Sequence, residues 1–140
     1  SAVNPDAVYG VVDAVRDEGG VFRSVDRGES WEKRSNHAPG GDYWNELTCD
    51  PHDLYTIYSV DVWLQVSRDG GKTFEKVNAK RKHADDHAVW LDPADPDYML
   101  VGGDGGVYES VDRGKAWLFK SEDPPPERLP GSVEVTTTLK

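Results

Sequence analysis

The 140-residue sequence contains one cysteine, one methionine and one isoleucine. Cys49 has no second thiol to pair with, so no internal disulfide forms and cysteine usage leaves the compartment open. Basic residues are scarce: 16 Lys and Arg stand against 26 Asp and Glu, a net charge of −10. That balance argues against a nucleic-acid groove, which needs a basic stripe. No apolar run approaches the roughly 20 residues that would cross a bilayer, and no basic-then-apolar stretch opens the sequence. Apolar residues at i, i+3, i+4 and i+7, the mark of a helix, are absent over any useful length.

What is present favours sheets. Valine is the commonest apolar residue at 17 copies, beside 5 Trp, 6 Tyr and 3 Phe. Such side chains suit a pleated, half-buried surface. Fourteen Gly and nine Pro punctuate the chain at short intervals, as turns between short strands require. The expected class is all-β, with a length that supports one core rather than two complete domains.

An internal repeat organises the rest. Ser24-Val25-Asp26-Arg27-Gly28-Glu29-Ser30-Trp31 recurs as Ser67-Arg68-Asp69-Gly70-Gly71-Lys72-Thr73-Phe74 and again as Ser110-Val111-Asp112-Arg113-Gly114-Lys115-Ala116-Trp117, each start 43 residues after the last. An X-Pro pair leads each unit: Asn4-Pro5, Asp50-Pro51 and Asp92-Pro93. A period of 40–50 residues with several short strands per unit indicates β-propeller blades. Three blades are expected, at about 1–36, 37–80 and 81–120, each with antiparallel strands A to D. The first opens on a remnant of strand A at 1–3. The octapeptide spans the C–D hairpin. Its Asp accepts turn amides, its Gly takes a positive φ, its Ser or Thr adds local bonds, and its aromatic opens strand D. Trp31, Trp90 and Trp117 are expected between blades.

The octapeptide resembles the Asp-box, or bacterial neuraminidase repeat, S-x-D-x-G-x-[ST]-[WF]. Ser24, Asp26, Gly28 and Trp31 fit it, as do Ser67, Asp69, Gly71 and Phe74, and Ser110, Asp112, Gly114 and Trp117. The third copy departs at Ala116, where a hydroxyl belongs. The wider unit is similar to the propeller repeats of sortilin-type (VPS10) domains and of glycoside hydrolase family 74. Residues 82–93 and 102–110 also resemble bacterial glycosyl hydrolase-like or sortilin-N-terminal-type proteins. The resemblance implies a full propeller of seven or more blades and relatives that are often secreted or periplasmic. Closed propellers have 4–8 blades, so this segment is expected to be completed by further blades of a longer chain or by self-association. Residues 121–131 are a Pro-rich linker, and alternating Val133, Val135 and Thr137 suit an extra strand within 132–140.

Strand counting divides the loops between two faces. The C–D octapeptides share one face with the A–B turns, and their carboxylates are assigned to structure. The opposite face gathers the B–C turns and D–A connections. There Asp104, His83, Asp85, Asp86, His87, Tyr43 and Trp44 are candidate ligand-binding residues, suited to a glycan or a peptide. Asp17-Glu18-Gly19-Gly20-Val21-Phe22-Arg23 resembles the D-x-G-G-x-Y-R stretch that carries a catalytic Asp in glycoside hydrolase family 74, which implies an acid or base role for Asp17. Its plain alternative is a hairpin turn. A glycosidase needs two such carboxyls, and the sequence completes no pair. Imidazole and carboxylate in the 83–87 stretch are both metal ligands, but their spacing fits no zinc motif. No metal, cofactor or membrane span is expected.

Overall fold

The structure, a computed structural model, describes residues 1–38 and 45–120. Eleven strands lie in three antiparallel sheets. The first holds β1 (Val8–Val12), β2 (Gly20–Ser24) and β3 (Glu32–Ser35). The second holds β4 (Glu46–Cys49), β5 (Ile57–Val60), β6 (Gln65–Ser67) and β7 (Glu75–Lys76). The third holds β8 (Asp86–Leu91), β9 (Met99–Gly103), β10 (Gly106–Ser110) and β11 (Leu118–Lys120). Each sheet is a meander whose strands pair in chain order. The architecture is all-β, a partial β-propeller. One expectation fails: residues 1–3 form no strand, so the first sheet has three strands. The expected linker and strand beyond residue 120 lie outside the described residues.

Each octapeptide folds by the same bonds. The serine hydroxyls of Ser24, Ser67 and Ser110 are almost wholly buried. Each accepts an amide from the glycine four residues on, at 2.8 Å in all three copies. Each donates to the carboxylate of Asp26, Asp69 or Asp112, at 2.6–2.8 Å. That same carboxylate accepts the amide of Ser30, Thr73 or Ala116, at 2.9–3.0 Å. Two successive left-handed residues make the corner: Arg27 and Gly28, Gly70 and Gly71, Arg113 and Gly114. The fourth position also bonds the A–B turn of its own blade, through Arg27 N to Asp6 O, Gly70 N to Tyr55 O and Arg113 N to Asp97 O. The turns led by the X-Pro pairs are closed by Asn4, Asp50 and Asp92 carbonyl or carboxylate oxygens that accept amides two residues on.

The octapeptides also build the seams between blades. A Cβ on Gly71 would lie 2.8 Å from Val21 of the preceding blade, and one on Gly114 would lie 2.6 Å from Val77. Arg34 donates to Gly70 O at 2.8 Å. At the next seam Asn78 donates to Lys115 O, and the Trp117 indole donates to Asn78 O. Between the second and third sheets Tyr58, Val60, Leu64 and Val66 meet Val89, Met99, Val101 and Trp117 in one cluster. Each fully buried side chain of this size contributes about 1.5–3 kcal/mol. The third residue before each octapeptide serine tracks this covering: Val21 is 0% exposed, Leu64 2% and Val107 45%. The three tryptophans expected between blades follow the same rule. Trp117 is buried, but Trp31 and Trp90 are 48% and 46% exposed. They sit on the outer faces of the first and third sheets, where no further sheet lies among the described residues.

The hydrogen bonds set the octapeptide carboxylates. Bonds from Ser24 and Ser30 hold Asp26 down to about 2. Burial works against Asp69, yet the amide and hydroxyl of Thr73, with Ser67 and Lys72, bring it to about 2. Asp112 is also lowered, first by the Ala116 amide, without a hydroxyl at that position. A carboxylate lowered on folding stabilises above its unfolded value and loses that contribution as the pH falls through its folded value. Thr73→Ala is expected to cost about 0.5–1 kcal/mol at neutral pH and Ala116→Thr to add about 0.5 kcal/mol. Urea denaturation at pH 7 checks both, and repeating it between pH 4 and 2 should show the Ala116→Thr gain disappear.

Candidate functional site

The B–C turns of the three sheets differ in build. In the first, Asp17 and Glu18 stand exposed on a 3-10 turn, Arg16–Glu18, and the Lys33 ammonium donates to the backbone carbonyl of Asp17. In the third, Asp104 heads a tight turn in which a Cβ on Gly105 would fall 2.2 Å from His83 and 2.7 Å from the Tyr108 hydroxyl. Only glycine lets the 83–85 segment pack there. In the second, the turn holds Asp61, which is buried and whose Oδ1 has no hydrogen-bond partner among the described residues. Sequence reasoning missed Asp61. It falls 43 residues before Asp104, but its neighbours Val60, Val62 and Trp63 carry no glycine signal.

The connection from β7 to β8 is stitched between two of these turns. Asp85 N donates to Val62 O at 2.8 Å and Asp86 N to Asp61 O at 3.2 Å. Asp104 N donates to Asp85 O at 3.1 Å. Arg81 and Asp85 take left-handed conformations to make the bends. The candidates on this stretch therefore separate. His87 and Asp104 come together at the surface, Nε2 to Oδ1 2.9 Å, both substantially exposed. His83 donates its amide to the Tyr108 hydroxyl at 3.1 Å, and its ring Nδ1 lies 2.6 Å from Ala84 O. Asp85 contributes mainly backbone bonds.

Asp86 is placed inside. Its Oδ2 accepts the Leu64 amide at 2.8 Å and its Oδ1 is paired with the Lys82 ammonium. Both side chains are fully buried. The ammonium also donates to His83 O at 3.2 Å and lies 5.9 and 5.8 Å from the Tyr108 and Trp117 ring centres. This cation-over-aromatic arrangement ties connection, third blade and octapeptide together, so Asp86 supports the face rather than presenting itself to solvent.

The preceding seam has a counterpart. His37 stacks on Phe74 with ring centres 3.8 Å apart and planes 10° from parallel. Its Nε2 lies 3.1 Å from Ser59 Oγ. Burial lowers its pKa below the usual histidine value, with Asp61 pulling the other way. Tyr43 and Trp44 lie outside the described residues. No group of three or more His, Cys, Asp or Glu among the described residues is arranged to hold a metal ion, and no described helix is long and apolar enough to cross a membrane.

No protein-family model matches the sequence, and no curated protein does. Solved structures do match. An ancestral GH74 enzyme superposes with a TM-score of 0.65 at 16% identity, over 84% of this chain and 17% of its own. The GH74 xyloglucanase from Xanthomonas campestris gives 0.61 at 22% identity, over 88% and 23%. YCF48 bound to D1 peptide gives 0.52 at 16% identity, over 82% and 43%. These likenesses establish the propeller fold. The chain spans less than half the length of each of these three proteins.

Two consequences are measurable. Lys82→Met leaves the Asp86 carboxylate buried without its cation and is expected to cost about 3–5 kcal/mol in urea denaturation; the double variant with Asp86→Asn, which removes the charge and keeps an acceptor for Leu64 N, recovers part of it. Because folding lowers the His37 pKa, stability is highest above the unfolded value of about 6.5 and falls as the pH drops from there toward the folded value. The melting temperature of the native chain minus that of His37→Phe, followed from pH 8 to 5, should decline below about pH 6.5.

Proposed function

We propose that this chain is a segment of an Asp-box propeller, of the sortilin-like and glycoside hydrolase 74-like kind, that works as a binding or scaffold module. Its working surface is the face formed by the B–C turns and D–A connections, and its ligand is a glycan or a peptide. One observation carries this reading. The β7–β8 connection is bonded to the turns on both sides of it and braced from beneath by Lys82 and Asp86, so His87 and Asp104 are held out on a fixed frame. Preorganised polar groups on a rigid scaffold are what selective binding needs. Among the similar structures YCF48 is bound to a peptide and the Xanthomonas campestris protein is a xyloglucanase, which supports a peptide and a glycan as the two ligand classes.

The second reading is a glycoside hydrolase of family 74 type, with Asp17 as acid or base and its partner carboxylate supplied from outside this segment. The exposed 3-10 turn that carries Asp17 favours it, since a catalytic acid must reach its substrate. Xyloglucan oligosaccharides separate the two readings when calorimetry is run beside a reducing-sugar assay. Binding without turnover, weakened about three- to tenfold by His87→Ala or Asp104→Ala, is the expected result. Turnover that Asp17→Ala abolishes would instead establish the hydrolase.

A further inference from the structure

The groove on the other side of the molecule has a chemistry that this chain's net charge does not suggest. It lies at the outer rim of the seam between the second and third blades, with a volume of about 200 Å³. Four cations line it, Arg68, Lys76, Arg113 and Lys115, against a single carboxylate, Glu75. That carboxylate is already paired with Arg68. Just beyond the groove Asp97 pairs with Arg113, which also acts on Asp53, and Asp112 keeps its charge within its own octapeptide beside Lys115. Lys76 and Lys115 form no ion pair within 4 Å among the described residues, and both are exposed. The Lys76 ammonium rests 4.7 Å from the centre of the Trp63 ring.

The geometry points to an anion-binding groove whose ligand is an extended acidic peptide. Charge complementarity selects the anion: in a chain of net charge −10, Lys76 and Lys115 present two exposed ammonium groups with no ion pair within 4 Å among the described residues, and these attract carboxylates. The strand edge selects the peptide. β7 is the outermost strand of its sheet, and Glu75, Lys76, Val77 and Asn78 run consecutively along one wall of the groove. A peptide laid there adds to the edge at Lys76 through main-chain bonds, short of Asn78, whose carbonyl the Trp117 indole already holds, while its side chains meet the exposed ammonium groups of Lys76 and Lys115. A polysaccharide has no such main-chain ladder to offer. The site lies along the outer rim and does not depend on the loop-face reading above.

The test is fluorescence anisotropy of a labelled hepta-glutamate peptide with the full 140-residue chain at low salt. Binding with a Kd on the order of 100 µM, weakening as salt is added, is expected. An exposed ion pair contributes up to about 1 kcal/mol, so Lys76→Ala and Lys115→Ala should each weaken binding by up to about fivefold, and Lys76→Glu with Lys115→Glu by at least about tenfold. The charge-retaining pair Lys76→Arg and Lys115→Arg should keep it, which separates lost charge from lost folding. Absence of binding, binding of hepta-glutamine at the same strength, indifference to the Glu variants, or tighter binding of oligogalacturonate than of the glutamate peptide would each overturn the proposal. Xyloglucan binding at the loop face is unaffected by any of these outcomes.

Discussion

The buried serine hydroxyl at the start of each octapeptide is the constraint on which the rest of the molecule hangs. One oxygen satisfies two amides in a turn that would otherwise bury them unpaired, and its proton fixes the aspartate that closes the far side. Left unmade, such bonds would each cost about 1–3 kcal/mol. With the corner fixed, the glycine that follows is pressed against the neighbouring sheet, and the aromatic that ends the octapeptide is placed at the seam. Ser24, Ser67 and Ser110 make the same bond at the same distance, and in the second and third units the corner meets the preceding sheet at Gly71 and Gly114.

The connections entering the second and third blades exploit this regularity in different ways. Each lays a side chain over the aromatic that the octapeptide provides: imidazole on Phe74 in one seam, ammonium over Trp117 in the next. The first is neutral by preference and depends on pH. The second is an ion pair, with Asp86 balancing the buried Lys82 ammonium. The loop face is therefore supported from below by seam chemistry, and the residues that reach solvent there are the ones that chemistry leaves over.

Much of the architecture was legible in the residues. The 43-residue period, the octapeptides and most strand positions follow from turn chemistry that glycine, aspartate and serine announce plainly. The candidate site was less legible for reasons that are local. Strand parity places Val89 and Leu91 inward and would turn Asp86 outward, but a register shift between Asp86 and Ala88 reverses it, so Asp86 is buried and His87 exposed. Asp61 was invisible because a turn without glycine leaves no mark. Trp31 and Trp90 were expected between blades, and on the outer sheets no neighbouring blade lies among the described residues to cover them.

The seams have a consequence for how such a chain can change over time. They share main-chain acceptors and a gap the size of a hydrogen atom at Gly71 and Gly114, but each adds its own cover, His37 on Phe74 in one and Lys82 with Asp86 over Trp117 in the other. A unit of 43 residues copied or exchanged by recombination would therefore have to bring its entering connection with it. Room for change is greatest in the loops that reach solvent and least at the two glycines, where any side chain would meet the neighbouring sheet.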